Sequence, residues 1–182
     1  MLRTLCAGAL AAFAAIVMVM PSPAGAHPGH DEAPATQNAM LLSEVVALGG
    51  GAEHFSAAAF RRAVSAASAN EDQALRSTLG SPAVDRFDEI FTYVVLDGVG
   101  TMKRSGKPIP PPSSTDAKAI AAALYQAGLR DGTFDVERLF DTLFSPAVHD
   151  HAMIAVGRKY GAPGETAYHV VLARLVQDVG KP

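Results

Sequence analysis

Apolar residues recur at spacings of three and four along most of the chain from Asn38 onward. Strict alternation of apolar and polar residues, which is typical of a half-buried strand, is almost absent from the same stretch. Alanine, the residue with the highest intrinsic helix propensity, is abundant there. The pattern therefore predicts an all-α domain over residues 38–182, folded as one bundle of about five to seven helices.

Interruptions of this pattern set the predicted helix limits. Three consecutive glycines, Gly49 to Gly51, end the first helix, and the four-proline segment Lys107–Ser114 predicts an extended connector. Asp131-Gly132 predicts a turn. The helices are expected over about Ala39–Leu48, Ser56–Ala69, Asp116–Ala127, Phe134–Phe144, Ser145–Tyr160 and Glu165–Val179. A further helix is expected from Ser81 to an end at Lys103–Gly106, and a short helical turn from Asn70 to Leu79.

Two helices are expected to begin at a Ser-Pro pair, with serine as the N-cap and proline at the first helical position. The helix after Ser81 carries an apolar face from Val84 to Met102 and is therefore predicted to be the central core helix. The final helix should bury the side chains from Tyr168 to Val179 that share one face. Because the connector Gly161–Gly164 is short, the last two helices are expected to be antiparallel neighbours.

The first 26 residues have the pattern of an export signal. Arg3 precedes an apolar run, Leu5–Met20, and a Pro-Ser-Pro break comes before the small residues Ala24-Gly25-Ala26. The run is shorter than the roughly 20 apolar residues of a transmembrane span. We therefore expect cleavage after Ala26, a periplasmic or secreted protein and a mature chain without a transmembrane span; the alternative is an uncleaved anchor. Residues 27–37, here called the histidine tail, are expected to be flexible.

Composition excludes several classes of function. Without residues 1–26 the chain has 14 basic and 18 acidic side chains, a formal charge of −4, with no Lys/Arg cluster to bind nucleic acid. The single cysteine, Cys6, lies in the signal, so the mature chain has no disulfide, no thiolate nucleophile and no Cys-ligated metal. Phosphate-binding glycine loops, the G-x-S-x-G elbow and H-E-x-x-H are all absent. The sequence therefore favours a non-catalytic protein.

Histidines provide the candidate chemistry. His149 falls on the apolar face of its helix with Met153 one turn later, and an imidazole beside a thioether can ligate copper or a haem iron. His169, at the edge of the apolar face of the last helix, would approach His149 if the two helices were antiparallel. The alternative is a core imidazole that is hydrogen-bonded, with methionine filling space. In the histidine tail, His27 and His30 form a weak copper or zinc site or simply a solvated linker.

Three hypotheses about function follow. The first is an exported all-α binding or interaction protein with an envelope protein as a candidate partner. The second is a copper-, zinc- or haem-binding protein that uses His149, Met153 and His169. The third is an enzyme without a recognisable motif.

Overall fold

The computed structural model describes residues 35–68, 71–144 and 146–181, which fold as helices joined by short loops. The all-α prediction is confirmed, and the predicted signal and most of the histidine tail lie outside the described residues. The elements are α1 (Ala35–Leu48), α2 (Ala57–Ala66), α3 (Glu71–Leu79), α4 (Ser81–Arg104), α5 (Ala117–Ala127), β1 (Leu129–Arg130), β2 (Thr133–Phe134), α6 (Val136–Leu143) and α7 (Pro146–Gly180).

The core is built around α4, as its apolar face predicts. The Phe91 ring lies near its centre, 5.3 Å from the Phe87 ring and 5.4 Å from the Phe60 ring between centroids. Tyr168 of α7 and Phe140 of α6 complete the cluster, each with its ring centroid 6.3 Å from that of Phe91. Buried aromatic rings contribute large apolar areas to a core, so this cluster joins four helices through one side chain.

Helix ends differ from the predictions by a few residues. The N-cap of α4 is Gly80 rather than Ser81, so Pro82 occupies the second helical position. The first helix begins at Ala35, four residues before the predicted start. α6 begins after Phe134 because residues 133–134 instead pair with residues 129–130 around the predicted Asp131-Gly132 turn.

A bend interrupts α7 at Gly161, whose φ of 67° and ψ of 179° are not helical. Only this residue leaves the helical conformation, whereas the sequence predicts a four-residue connector. Glycine adopts a positive φ without the steric cost that a β-carbon imposes. Pro163 lies in the first turn after the bend, where its missing N–H does not break a helical hydrogen bond. We call residues 146–160 the first segment of α7 and residues 162–180 the second segment.

Both segments of α7 pack against α4. In the first segment His151 lies beside Asp97, and the Tyr160 hydroxyl donates a hydrogen bond to Glu89 at 2.9 Å. In the second segment Tyr168 stacks on Phe87, with 5.9 Å between ring centroids. The first segment thus runs antiparallel to α4, from Asp97 to Glu89, while Tyr168 of the second segment packs against both Phe87 and Phe91. The prediction that the two segments are antiparallel neighbours stays a prediction.

Candidate functional site

A surface groove opens where α3 meets α4 and where α7 bends. Each of these corners consists of a glycine with positive φ, one further residue and a proline. Gly80 has φ 83° and precedes Pro82, while Gly161 precedes Pro163. Because the groove is lined by residues on both sides of Gly80 and by residues that follow Gly161, its shape depends on these two changes of chain direction.

The groove has a volume of about 540 Å³ and is lined almost entirely by apolar side chains. Thr166 has the one polar side chain among the lining residues, and its hydroxyl donates to the Ala162 carbonyl at 2.9 Å. Val170 remains 45% exposed, so apolar surface is left in contact with water. The lining residues are Leu79, Ala83, Ala162, Pro163, Thr166, Ala167, Val170 and Val171.

The chemistry of the groove is that of a binding surface. None of its eight lining residues is ionisable, so the lining itself offers no general acid, general base or charged nucleophile. Its volume lies within the range of about 300–1,000 Å³ that is typical of small-molecule sites, which are mostly apolar. The groove can therefore bury apolar surface of a ligand, with little hydrogen bonding to orient it.

A buried arginine joins the helices α2, α3 and α4. The Arg61 side chain of α2 is 0% exposed, and its Nε and Nη2 donate to the two carboxylate oxygens of Asp88 at 2.9 and 2.8 Å. Its Nη1 forms an ion pair with Asp72 of α3. A bidentate carboxylate matches the planar donor geometry of a guanidinium. The charges of this cluster are engaged with one another, so we assign the cluster a structural role.

Neither Arg61 nor Asp88 is singled out from the sequence, although the Asp88 side chain is only 14% exposed. A signal was present in the helical spacing. Arg61 lies four residues after Ala57 and three before Val64, both of which are fully buried, and these intervals place all three residues on one helix face. Two adjacent arginines suggest a solvated surface, but only Arg62 is exposed.

The predicted histidine site is described only in part. Met153 is partly buried and packs against the hydrophobic core. The structure does not describe the side chain of His149, and His27 and His30 lie outside the described residues. The proximity of His149 and His169 therefore stays a prediction.

His169 lies beside a carboxylate and a tyrosine. Its Nε2 is 3.4 Å from Glu137 Oε1 of α6, and its ring centroid is 5.3 Å from that of Tyr168. The Tyr168 hydroxyl is buried and has no hydrogen-bond partner among the described residues. Burial raises the pKa of Tyr168 well above 10.0, and the negative charge of Glu137 raises it further. Tyr168 is therefore neutral at physiological pH.

Two searches of the described part of the chain bear on the sequence hypotheses. Among those residues, no group of three or more His, Cys, Asp or Glu side chains is arranged to hold a metal ion. No helix within that same part has both the length and the apolar character needed to cross a membrane.

Comparison of the chain with protein-family models, with curated proteins and with solved structures finds no match.

Proposed function

We propose that this protein is an exported, non-catalytic binding protein that takes the apolar part of a small ligand into the groove between α3, α4 and α7. The supporting observation is the groove itself, a concave space with a volume of about 540 Å³ that is lined by apolar side chains and has no ionisable lining residue. Because apolar burial contributes roughly 25 cal/mol per Å², a ligand that fills such a groove gains affinity mainly from its hydrocarbon surface.

The binding test uses the fluorescent apolar probe N-phenyl-1-naphthylamine, whose emission rises when it leaves water. The purified protein should bind it saturably. Val170→Asp should weaken the affinity at least tenfold, because a carboxylate placed in an apolar contact loses hydration; tenfold corresponds to about 1.4 kcal/mol. Val170 is 45% exposed, so the variant should still fold.

Ile154→Asp is the matched control. Ile154 is 46% exposed, lies in the first segment of α7 and does not line the groove, so this variant should bind the probe as the parent does. Equal losses in the two variants, or no saturable binding by the parent, would contradict the proposal. Binding of an envelope protein that is blocked by Val170→Asp, without any binding of the probe, would instead favour a protein partner.

Export is the second part of the proposal and rests on the amino-terminal pattern. Mass spectrometry of the exported protein should show His27 as the new N-terminal residue, since Ala24-Gly25-Ala26 follows a helix-breaking Pro-Ser-Pro. A chain that keeps residues 1–26 and is found in the membrane fraction would show an uncleaved anchor.

A further inference from the structure

One end of the groove is formed by α3, a helix with little apolar anchoring. Its last residue, Leu79, lines the groove, yet Leu75 is the one residue buried among those of this nine-residue helix. The eight-residue helix α6 buries three residues, Leu139, Phe140 and Leu143. Local stability follows the number of buried apolar contacts, so α3 should open more readily than α6.

Ion pairs provide the other attachments of α3 to its neighbours. On one side Asp72 pairs with the buried Arg61, and Arg76 Nη1 lies 3.1 Å from Asp85 Oδ1 of α4. Arg76 and Asp85 are both substantially exposed, and ion pairs in such positions contribute little because water and salt screen them. The C-terminal half of α3, next to the groove, is thus held by a weak pair and one partly buried leucine.

The N-terminal end of α3 faces charged groups of α7. Glu71 lies close to Asp178 and Arg174, and its pKa is raised by partial burial and by the Asp178 carboxylate, while Arg174 opposes the rise. Two carboxylates that face each other repel when both are ionised, and the nearby arginine moderates this repulsion. This contact therefore holds α3 to α7 less well when both carboxyls are ionised.

We infer that α3 is a movable wall of the groove: it opens locally, which takes Leu79 out of the groove, and an apolar ligand in contact with Leu79 holds it in place. The inference depends on the proposed function, because the same groove is involved. Gly80 alone separates α3 from α4 and has a positive φ, as expected of a residue at which a helix can change direction. A ligand in contact with Leu79 binds better when α3 is in place, and by linkage it must then stabilise that position.

Backbone hydrogen exchange of the purified protein tests this inference, with and without N-phenyl-1-naphthylamine. Without the probe, the amides of α3 should exchange faster than those in the middle of α4 because α3 opens locally. At a free probe concentration ten times its Kd, opening of α3 should become rarer and exchange in α3 should slow, by at most about tenfold, the limit reached when the open form does not bind the probe. Exchange in the middle of α4 should not change.

A pair of variants tests the attachment of α3. Asp85→Asn removes the partner of Arg76 and should speed exchange in α3 by about two- to fivefold, the range for an exposed ion pair. Glu89→Gln is the matched control, because Glu89 is also an exposed carboxylate of α4 but pairs with Arg86 and Lys159, which lie outside α3. It should leave exchange in α3 unchanged.

The possible results separate the two proposals. Saturable probe binding without slower exchange in α3 would overturn the movable wall and leave the binding function standing. Exchange in α3 as slow as in α4, or equal effects of Asp85→Asn and Glu89→Gln, would also overturn the movable wall. Absence of saturable probe binding would overturn the proposed function.

Discussion

Replacement of the buried arginine offers the sharpest test of what holds α2, α3 and α4 together. Arg61→Met keeps most of the side-chain volume and removes the positive charge. It leaves Asp88, which is 14% exposed, without the two donors that lie 2.9 and 2.8 Å from its oxygens. Asp72 is 36% exposed and can recover hydration from water, so most of the loss should arise at Asp88.

The expected loss can be estimated from these contacts. Hydrogen bonds to charged groups contribute about 1.5–3 kcal/mol each, and two are lost at Asp88. Breaking one partner out of a buried pair costs about 3–5 kcal/mol in proteins generally, which agrees with this sum. Domains are stable by about 5–15 kcal/mol, so Arg61→Met should remove a large part of the free energy of unfolding.

Urea unfolding followed by far-UV circular dichroism measures this loss. The adjacent Arg62 is exposed, and Arg62→Met serves as the control, with an unfolding midpoint close to that of the parent. The double variant Arg61→Met/Asp88→Leu removes the uncompensated charge and should be more stable than Arg61→Met alone. The reasoning is refuted if Arg61→Met costs no more than Arg62→Met, or if Asp88→Leu destabilises the Arg61→Met protein further.

Three other predictions follow from the packing and from the histidines. Tyr168→Phe should preserve or raise the stability of the protein at neutral pH, because it removes a buried hydroxyl. Above about pH 10.0 the parent should lose stability, since Tyr168 ionises in the unfolded chain but stays neutral in the folded protein, and the variant should not show this loss. Urea midpoints measured across this pH range test both expectations. Gly98→Ala should lower the free energy of unfolding by about 1–3 kcal/mol, because the added β-carbon would collide with the Phe144 ring. Gly100→Ala is the control and should be neutral or stabilising, because its β-carbon would meet only the flexible end of the Arg104 side chain. Equal urea midpoints for the two variants would refute this prediction. If His149 binds metal or haem, titration with copper, zinc and haem should give saturable binding that survives removal of the histidine tail and is abolished by His149→Leu; without such binding the ligand hypothesis fails.

The sequence predicts the features that depend on local spacing. The buried face of α4 and that of the last helix are correct because helical periodicity assigns each side chain to a face whatever its tertiary partner. The sequence also predicts an interruption at Gly161–Gly164, where Gly161 leaves the helical conformation. Whether a glycine followed by a proline reverses or merely bends a helix depends on one pair of backbone angles, which composition does not determine.

Features that depend on distant residues were not predictable in this way. Arg61 is buried because Asp88, 27 residues later, meets it on a neighbouring helix. The groove needs two corners separated by about eighty residues to lie side by side, and no local pattern encodes their proximity.

The second segment of α7 also sets the order in which the core can be completed. Tyr168 lies against Phe87, Phe91 and Phe140, and the buried residues continue to Val179. A chain emerging in sequence order, whether from a ribosome or across a membrane, therefore exposes these aromatic rings until residues 162–180 arrive. Contacts between residues far apart in sequence form late and slow folding. We therefore expect such a nascent chain to keep apolar surface exposed until residues 162–180 dock, and surface of this kind promotes aggregation.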